Sequence, residues 1–400
     1  MAIEDAGRLP GEAEGEGRVF FLNNPAVRGV IIQVLLIVAL LAFAWWIIAN
    51  TAANLQRANI ASGYDFLEER AGFEIGQSPV PYTPDRSYGY ALYVGFLNTL
   101  MVAALGIVAA TIVGFLVGIG RLSKNWLIRK LSTIYVETFR NIPPLLVIFF
   151  WYFGVIAVLP APRDAIDTGI GMSLSNRGAY MPRLLLEPGA GSVGIAFLVA
   201  LAAAIVFAIW AGRRQMATGQ RLPVLWINLA LLIGLPLLTF LVLGSPMSLE
   251  FPEETRFGLR GGMQVQPEFL ALLLALSIYT AAFIAEIVRA GILAVSHGQT
   301  EASYSLGLTR GPTLRLVIIP QALRVIIPPL TSQYLNLTKN SSLAVAVGYS
   351  DLVAVGGTIL NQTGQAVEIV SIWMIVYLSI SLLTSFFMNW FNRRMALVER

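Results

Sequence analysis

Glu137, Arg140, Glu286, Arg289 and Lys339 are charged side chains that fall inside the long apolar blocks of this sequence, away from their ends. A charge in hydrocarbon is costly, so such residues face a protein interior and pair, or line a path for ions or ligands. Glu137–Arg140 and Glu286–Arg289 are both spaced i, i+3. On a helix each pair shares one face and can neutralise itself. Lys339 has no partner at that spacing, and Asn340 and Ser341 beside it add further polar groups. Two roles stay open for these seven residues: internal neutralisation and helix packing, or contact with a charged substrate along a path. A relay of protons or ions through Glu137, Glu286 and Lys339 is the rival chemistry.

The chain has no cysteine and one histidine, His297. Disulfides, thiol catalysis and His- or Cys-rich metal sites are excluded. No Gly-x-x-x-x-Gly-Lys-Ser/Thr loop occurs, so the chain is not expected to bind or hydrolyse ATP itself. A membrane-embedded enzyme finds few groups to work with, and His297 reads as a polar loop residue.

The elements that position these residues follow from composition. Of the 400 residues 56% are hydrophobic and 12% charged, against ~45–50% and ~25% in soluble domains. The apolar residues form blocks long enough to cross hydrocarbon as helices. Eight spans are read, at about 27–50, 91–119, 133–159, 193–211, 223–243, 267–295, 326–348 and 367–391. The segments between them read as loops, with punctuation such as Leu159-Pro-Ala-Pro162 and Gly244-Ser-Pro246. Helices satisfy their own backbone in lipid, and a barrel would need short alternating segments. Sixteen Lys and Arg lie on the side of the N-terminus and eight on the other, which predicts both termini in the cytoplasm. The Gly/Glu-rich residues 1–26 are expected to be a disordered cytoplasmic tail rather than a cleaved signal. An internal repeat is hinted at by the two Glu-x-x-Arg pairs and by Ile142-Pro-Pro-Leu145 and Ile327-Pro-Pro-Leu330.

One connection, 296–325, is unlike a simple loop. It reads Gly298-Gln-Thr-Glu-Ala-Ser-Tyr-Ser-Leu-Gly-Leu308 and continues to Val317-Ile-Ile-Pro-Gln-Ala322. Thr300–Leu306 predicts a short helix with Glu301 in its first turn and small residues, Ala302 and Ser303, on its surface. Gly307 stands where a left-handed cap belongs. Pro312 suits the first turn of a second short helix, and Pro320 is expected to interrupt the chain before the next span. An ordinary interfacial loop is the alternative.

Glu301-Ala302-Ser303, Gly307 and Ile318-Ile-Pro320 resemble the cytoplasmic "EAA" loop of ABC-importer permeases, with serine at the second alanine. Pro320-Gln-Ala-Leu-Arg324, Lys339-Asn-Ser-Ser-Leu343 and Tyr135-Val-Glu-Thr-Phe-Arg-Asn-Ile-Pro143 narrow the resemblance to polar amino acid importers of the histidine/glutamine type. It covers about 88–395. The added span within 27–87 and the insertion at about 160–265 resemble the long form found in general L-amino-acid and glutamate/glutamine/aspartate/asparagine importers.

The resemblance implies an all-α, polytopic type I importer permease in the bacterial inner membrane. The coupling role falls on Glu301, Ala302, Ser303, Gly307 and Pro320. Implied partners are a second permease in a heterodimer, two ATP-binding subunits carrying ATP and Mg, and a periplasmic amino-acid-binding protein, with no nucleic acid. Lys339 is implied to fix helix packing. An ion-coupled secondary amino-acid transporter is the alternative function.

Overall fold

In a solvent that offers no hydrogen bonds, long apolar runs close their backbone as helices, and the computed structural model of this chain is built from them. It describes residues 25–57, 62–255 and 258–395. Most of the expected tail over 1–26 lies outside the described residues. The chain divides into two units, Met1–Tyr64 and Asp65–Arg400. The first holds α1 (Pro25–Arg57), a single apolar helix long enough to span.

The second unit begins its bundle with α2 (Tyr88–Gly120), capped by the Ser87 hydroxyl. Next come α3 (Trp126–Arg140) and α4 (Pro144–Phe149), the latter extended by a π turn over Phe150–Ile156. Among the described residues eight short strands follow, four on each side of a helical hairpin. Before it lie β1 (Ile166–Asp167), β2 (Ser173–Ser175), β3 (Gly178–Met181) and β4 (Arg183–Leu186); the hairpin is α5 (Ala190–Thr218) and α6 (Val224–Val242). After it lie β5 (Met247–Glu250), β6 (Glu253–Thr255), β7 (Gly258–Arg260) and β8 (Met263–Val265). Then come α7 (Pro267–Leu293), α8 (His297–Ser305) and α9 (Arg310–Thr313). A π turn over Leu314–Ile318 leads into α10 (Ile319–Asn340), which continues as a 3-10 turn to Val347. The chain closes with α11 (Leu352–Thr363) and α12 (Ala366–Met395).

The core gathers on α7, where Leu272, Ala275, Leu276, Ala281, Ile284 and Ala285 are fully buried. Its near neighbour is α2. A Cβ on Gly114 would stand 2.6 Å from the Ile284 Cβ, and one on Gly118 would stand 2.8 Å from the Ala285 carbonyl oxygen. These two glycines, one turn apart, let the helix backbones approach. In lipid, close packing of small residues is what holds helices together, because acyl chains are as apolar as leucine.

Among the described residues seven helices are long and apolar enough to span, and an eighth span results if α3 and α4 are taken together. The expected straight span at 133–159 is corrected by the structure. α3 and α4 meet at a bend of 111°. Pro143 excludes helical geometry just before it, and Pro144 starts a new helix at its first position. The second Ile-Pro-Pro-Leu behaves differently, since Pro328 and Pro329 lie inside an unbroken α10. The two copies are therefore not equivalent in structure.

Pro320 does not interrupt the chain. Residues 310–347 form one continuous helical segment. Proline lacks an N–H and crowds the carbonyl four residues earlier. The π turn directly before α10 widens the helix where that clash would fall. The loops expected around the inserted hairpin also carry order. β1-β2-β3-β8 form one antiparallel sheet, with β4–β5 and β6–β7 as separate pairs. β3 and β8 bring the two flanks of the insertion together, Tyr180 opposite Gln264.

Candidate functional site

Among the described residues, two regions that hold residues expected from the sequence bring polar groups together inside the apolar bundle. The first is at the end where α2 finishes. Arg121, the C-cap of α2, reaches the Glu286 carboxylate on α7, and its other amino group lies 3.3 Å from Glu137 on α3. Arg289 grips Glu286 from the same helix, Nη2 to Oε1 at 2.6 Å and Nε to Oε2 at 3.1 Å. Two cations and two anions thus cancel, and three helices are tied at one level. The Glu286–Arg289 pairing read from spacing is present.

The Glu137–Arg140 pairing is not. Glu137 turns to Arg121, which the sequence reading counted among loop charges. Arg140 instead lies over the Phe283 ring, 5.7 Å from its centroid. The break at 141–143 turns α3 across α2 and α7, which brings Glu137 against the end of α2.

The second region is a cavity of about 240 Å3 lined by Pro144, Tyr279, Thr280, Phe283, Gln333, Asn336 and Asn340. α7 contributes Tyr279 and Thr280, and α10 contributes Gln333, Asn336 and Asn340 from one face at i, i+3 and i+7. No charged side chain lines it, so it suits a ligand met by hydrogen bonds. Among the seven expected path residues only Asn340 lines this cavity. Lys339 is exposed beside it, and the buried Ser341 hydroxyl donates to the Thr338 carbonyl at 2.7 Å. Tyr279, Thr280, Gln333 and Asn336 were missed. Three amides on one face of an apolar helix were the available signal.

The loop joining α7 to α10 folds as α8, a turn and α9. α8 starts at His297, three residues earlier than expected, so Glu301 sits in the second turn. There it pairs with His297 Nδ1 at 3.0 Å, and His297 is the first residue of this helix rather than part of a loop. Ser303 is buried rather than on the surface, its hydroxyl donating to the Gln299 carbonyl at 2.6 Å. Its size serves the inside of the loop. Ala302 is exposed, with Tyr304 and Leu306 beside it. Gly307 takes φ +77, and Leu306, Gly307 and Leu308 return N–H groups to the carbonyls of Ala302, Tyr304 and Ser303. This is the left-handed cap expected there. A Gln321–Gln299 hydrogen bond of 3.2 Å fastens α8 to the start of α10.

Residues 212–397 match the family described as "Binding-protein-dependent transport system inner membrane component". The general L-amino acid transport system permease protein of Rhizobium johnstonii is 60% identical over 95% of this chain and 95% of that protein. The chain belongs to this family of ABC-transporter permeases. A glutamate/glutamine/aspartate/asparagine transport system permease protein of Rhodobacter capsulatus is 42% identical over 93% of this chain and 95% of that one. An amino-acid ABC transporter permease protein of Escherichia coli is 53% identical, covering 94% and 96%.

The family resemblance read from the coupling motif holds, and both long-form branches it pointed to are among these relatives. The permease is a transport subunit and a multi-pass component of the inner membrane. Permeases of this family work with ATP-binding and substrate-binding partners. The ion-coupled alternative gains no support. Glu137 and Glu286 are held by Arg121 and Arg289, and Lys339 joins neither of them, so the three groups form no continuous relay.

Proposed function

We propose that this permease forms half of an ATP-driven path for L-amino acids, polar, acidic or of broad range. The observation that supports it most is a connection. α8 and α9 link the two helices, α7 and α10, whose side chains line the polar cavity. A displacement of α8 is therefore delivered to two walls of that cavity, without a long chain of intermediates.

Glu301, Ala302 and Gly307 present the surface that an ATP-binding subunit engages, Ser303 packs beneath it, and Pro320 follows at the root of α10. Closure of two ATP-binding subunits on ATP and Mg, which they carry, tilts α8 and opens the cavity to alternate sides. A periplasmic amino-acid-binding protein delivers the cargo, and a homologous second permease completes the path as a heterodimer. Both termini face the cytoplasm. Residues 88–395 form the transport domain, with 160–265 as an insertion and 27–87 as an added span and loop. The names of the relatives support amino acids as cargo, and the uncharged cavity suits their polar groups.

Affinity purification in mild detergent tests the assembly. The expected outcome is recovery of an ATP-binding subunit and a second permease with this chain. Recovery of the chain alone, in a form that transports without ATP, would overturn the reading.

A further inference from the structure

We propose that α3 lies in the plane of the membrane, at the surface where α2 ends, as an anchor on anionic phospholipid. The proposal rests on the membrane topology given above for the head-group side alone; the in-plane geometry is independent of which side that is.

The bend supplies the first argument. α4 with its π turn runs along the outer half of α7: Pro144 borders the same cavity as Thr280, and the Tyr152 hydroxyl donates to Glu268 in the first turn of α7 at 3.1 Å. A helix turned by 111° from that direction does not climb through the bilayer. The second argument is level. A Cβ on Gly120 would meet Ser132 Oγ at 2.5 Å and Ile128 Cγ2 at 3.5 Å, and Glu137 reaches Arg121. Ile128 and Glu137 lie about 14 Å apart along the helix, yet Ile128, Ser132 and Glu137 all lie against Gly120 or Arg121 at the end of α2. α3 crosses that end rather than running along it.

The third argument is the distribution of side chains around α3, at 100° per residue. Val136 is fully buried against the bundle. Tyr135 points deeper, its hydroxyl donating to the Ile278 carbonyl at 2.5 Å. On the arc opposite Tyr135 stand Arg129, Lys130, Thr133, Glu137 and Arg140, with the exposed Trp126 at the first residue of the helix. Away from the bundle, Leu127, Leu131 and Ile134 form a stripe, each more than half exposed. Such an arrangement fits an interfacial helix: polar groups toward water, an apolar flank in the acyl boundary, Trp126 at the head-group level. The choice of lipid over a protein partner comes from charge. Residues 122–136 contain Lys124, Arg129 and Lys130 and no acid, which complements anionic head groups.

The natural sequence has no cysteine, so a single Leu127→Cys, Leu131→Cys or Ile134→Cys gives the chain one thiol for a spin label. The full-length labelled chain is reconstituted in phosphatidylglycerol-containing vesicles, and depth is read from collision with oxygen and a water-soluble nickel chelate. The three labels are expected at one shallow depth, oxygen-accessible. A span rising 1.5 Å per residue would separate positions 127 and 134 by about 10 Å, and that gradient overturns the in-plane helix. Labels shielded from both reagents would assign the stripe to a protein partner and overturn the lipid contact. Arg129→Gln with Lys130→Gln is expected to shift the Leu131→Cys label outward in these vesicles and not in phosphatidylcholine; an unchanged depth in both removes the head-group contact. Side is read separately, because a Thr218→Cys label reports only the orientation of the α5–α6 turn.

Discussion

Arg121 and Glu286, 165 residues apart in sequence, form the ion pair that ties the end of α2 to α7. The pair exists because Gly114 and Gly118 bring the two helices close enough for a capping residue to reach across. The side chain of Arg121 is 11% exposed and that of Glu286 24%. Removing a partner from a buried pair costs ~3–5 kcal/mol; Glu286 retains Arg289, so Arg121→Gln is expected to cost roughly 2 kcal/mol. Thermal unfolding in detergent should place Arg121→Gln well below Arg140→Gln, because Arg140 forms no direct ion pair among the described residues and acts on Glu286 only at longer range. Equal midpoints for the two variants would contradict the network.

Gly307 carries the turn between α8 and α9. Its φ of +77 strains any L side chain, although a Cβ there would meet nothing within 4 Å. Gly307→Val should therefore insert and assemble, at a local cost on the order of 1–2 kcal/mol, while α8 changes direction. In reconstituted vesicles the ATPase should lose its response to loaded binding protein, and uptake should be lost. Normal stimulation with normal uptake would show that the turn is only a connector.

Asp351 gives a dependence on pH. It is fully buried as the N-cap of α11, accepting from the Ala354 N–H at 2.8 Å and facing the Tyr377 hydroxyl at 3.5 Å. Desolvation pushes its carboxyl from 3.8 up to about 6, against hydrogen bonds from the backbone and from Tyr377 that pull it down. A pKa raised in the folded state means that folding favours the protonated form. This contribution to stability is present below about pH 4, falls between about 4 and 6, and is gone above. Asp351→Asn should flatten that part of the profile of unfolding temperature against pH. Parallel profiles for the two proteins would count against a raised Asp351.

The parts legible in the sequence were those written in local rules. The hairpin α5–α6 showed itself as two apolar blocks around Arg213–Arg221, and Gly307 as a glycine at a helix end. Glu286–Arg289 needed only helical spacing. The parts that were not legible depend on contacts distant in sequence. Arg121 looked like a loop cation because its two partners lie 16 and 165 residues away. The strands β1–β8 are two to four residues long, too short to show an alternating pattern. The break before α4 was written in Pro143-Pro144, but the same dipeptide at 328–329 leaves α10 whole, so the motif alone does not decide. The cavity was half visible: Asn340 stood out beside Lys339, while Gln333 and Asn336 gained meaning only when α7 supplied the opposite wall.

The central claim is that motion at α8, driven by ATP on partner subunits, moves cargo past the cavity between α7 and α10. The most direct measurement is uptake of radiolabelled L-glutamate and L-glutamine into vesicles holding this permease together with the proposed second permease and ATP-binding subunits. The loaded binding protein is placed on one side and ATP with Mg on the other. The account predicts uptake that requires both, that persists when proton and sodium gradients are collapsed, and that falls at least tenfold in Asn336→Leu. Uptake driven by an ion gradient with ATP absent would contradict it.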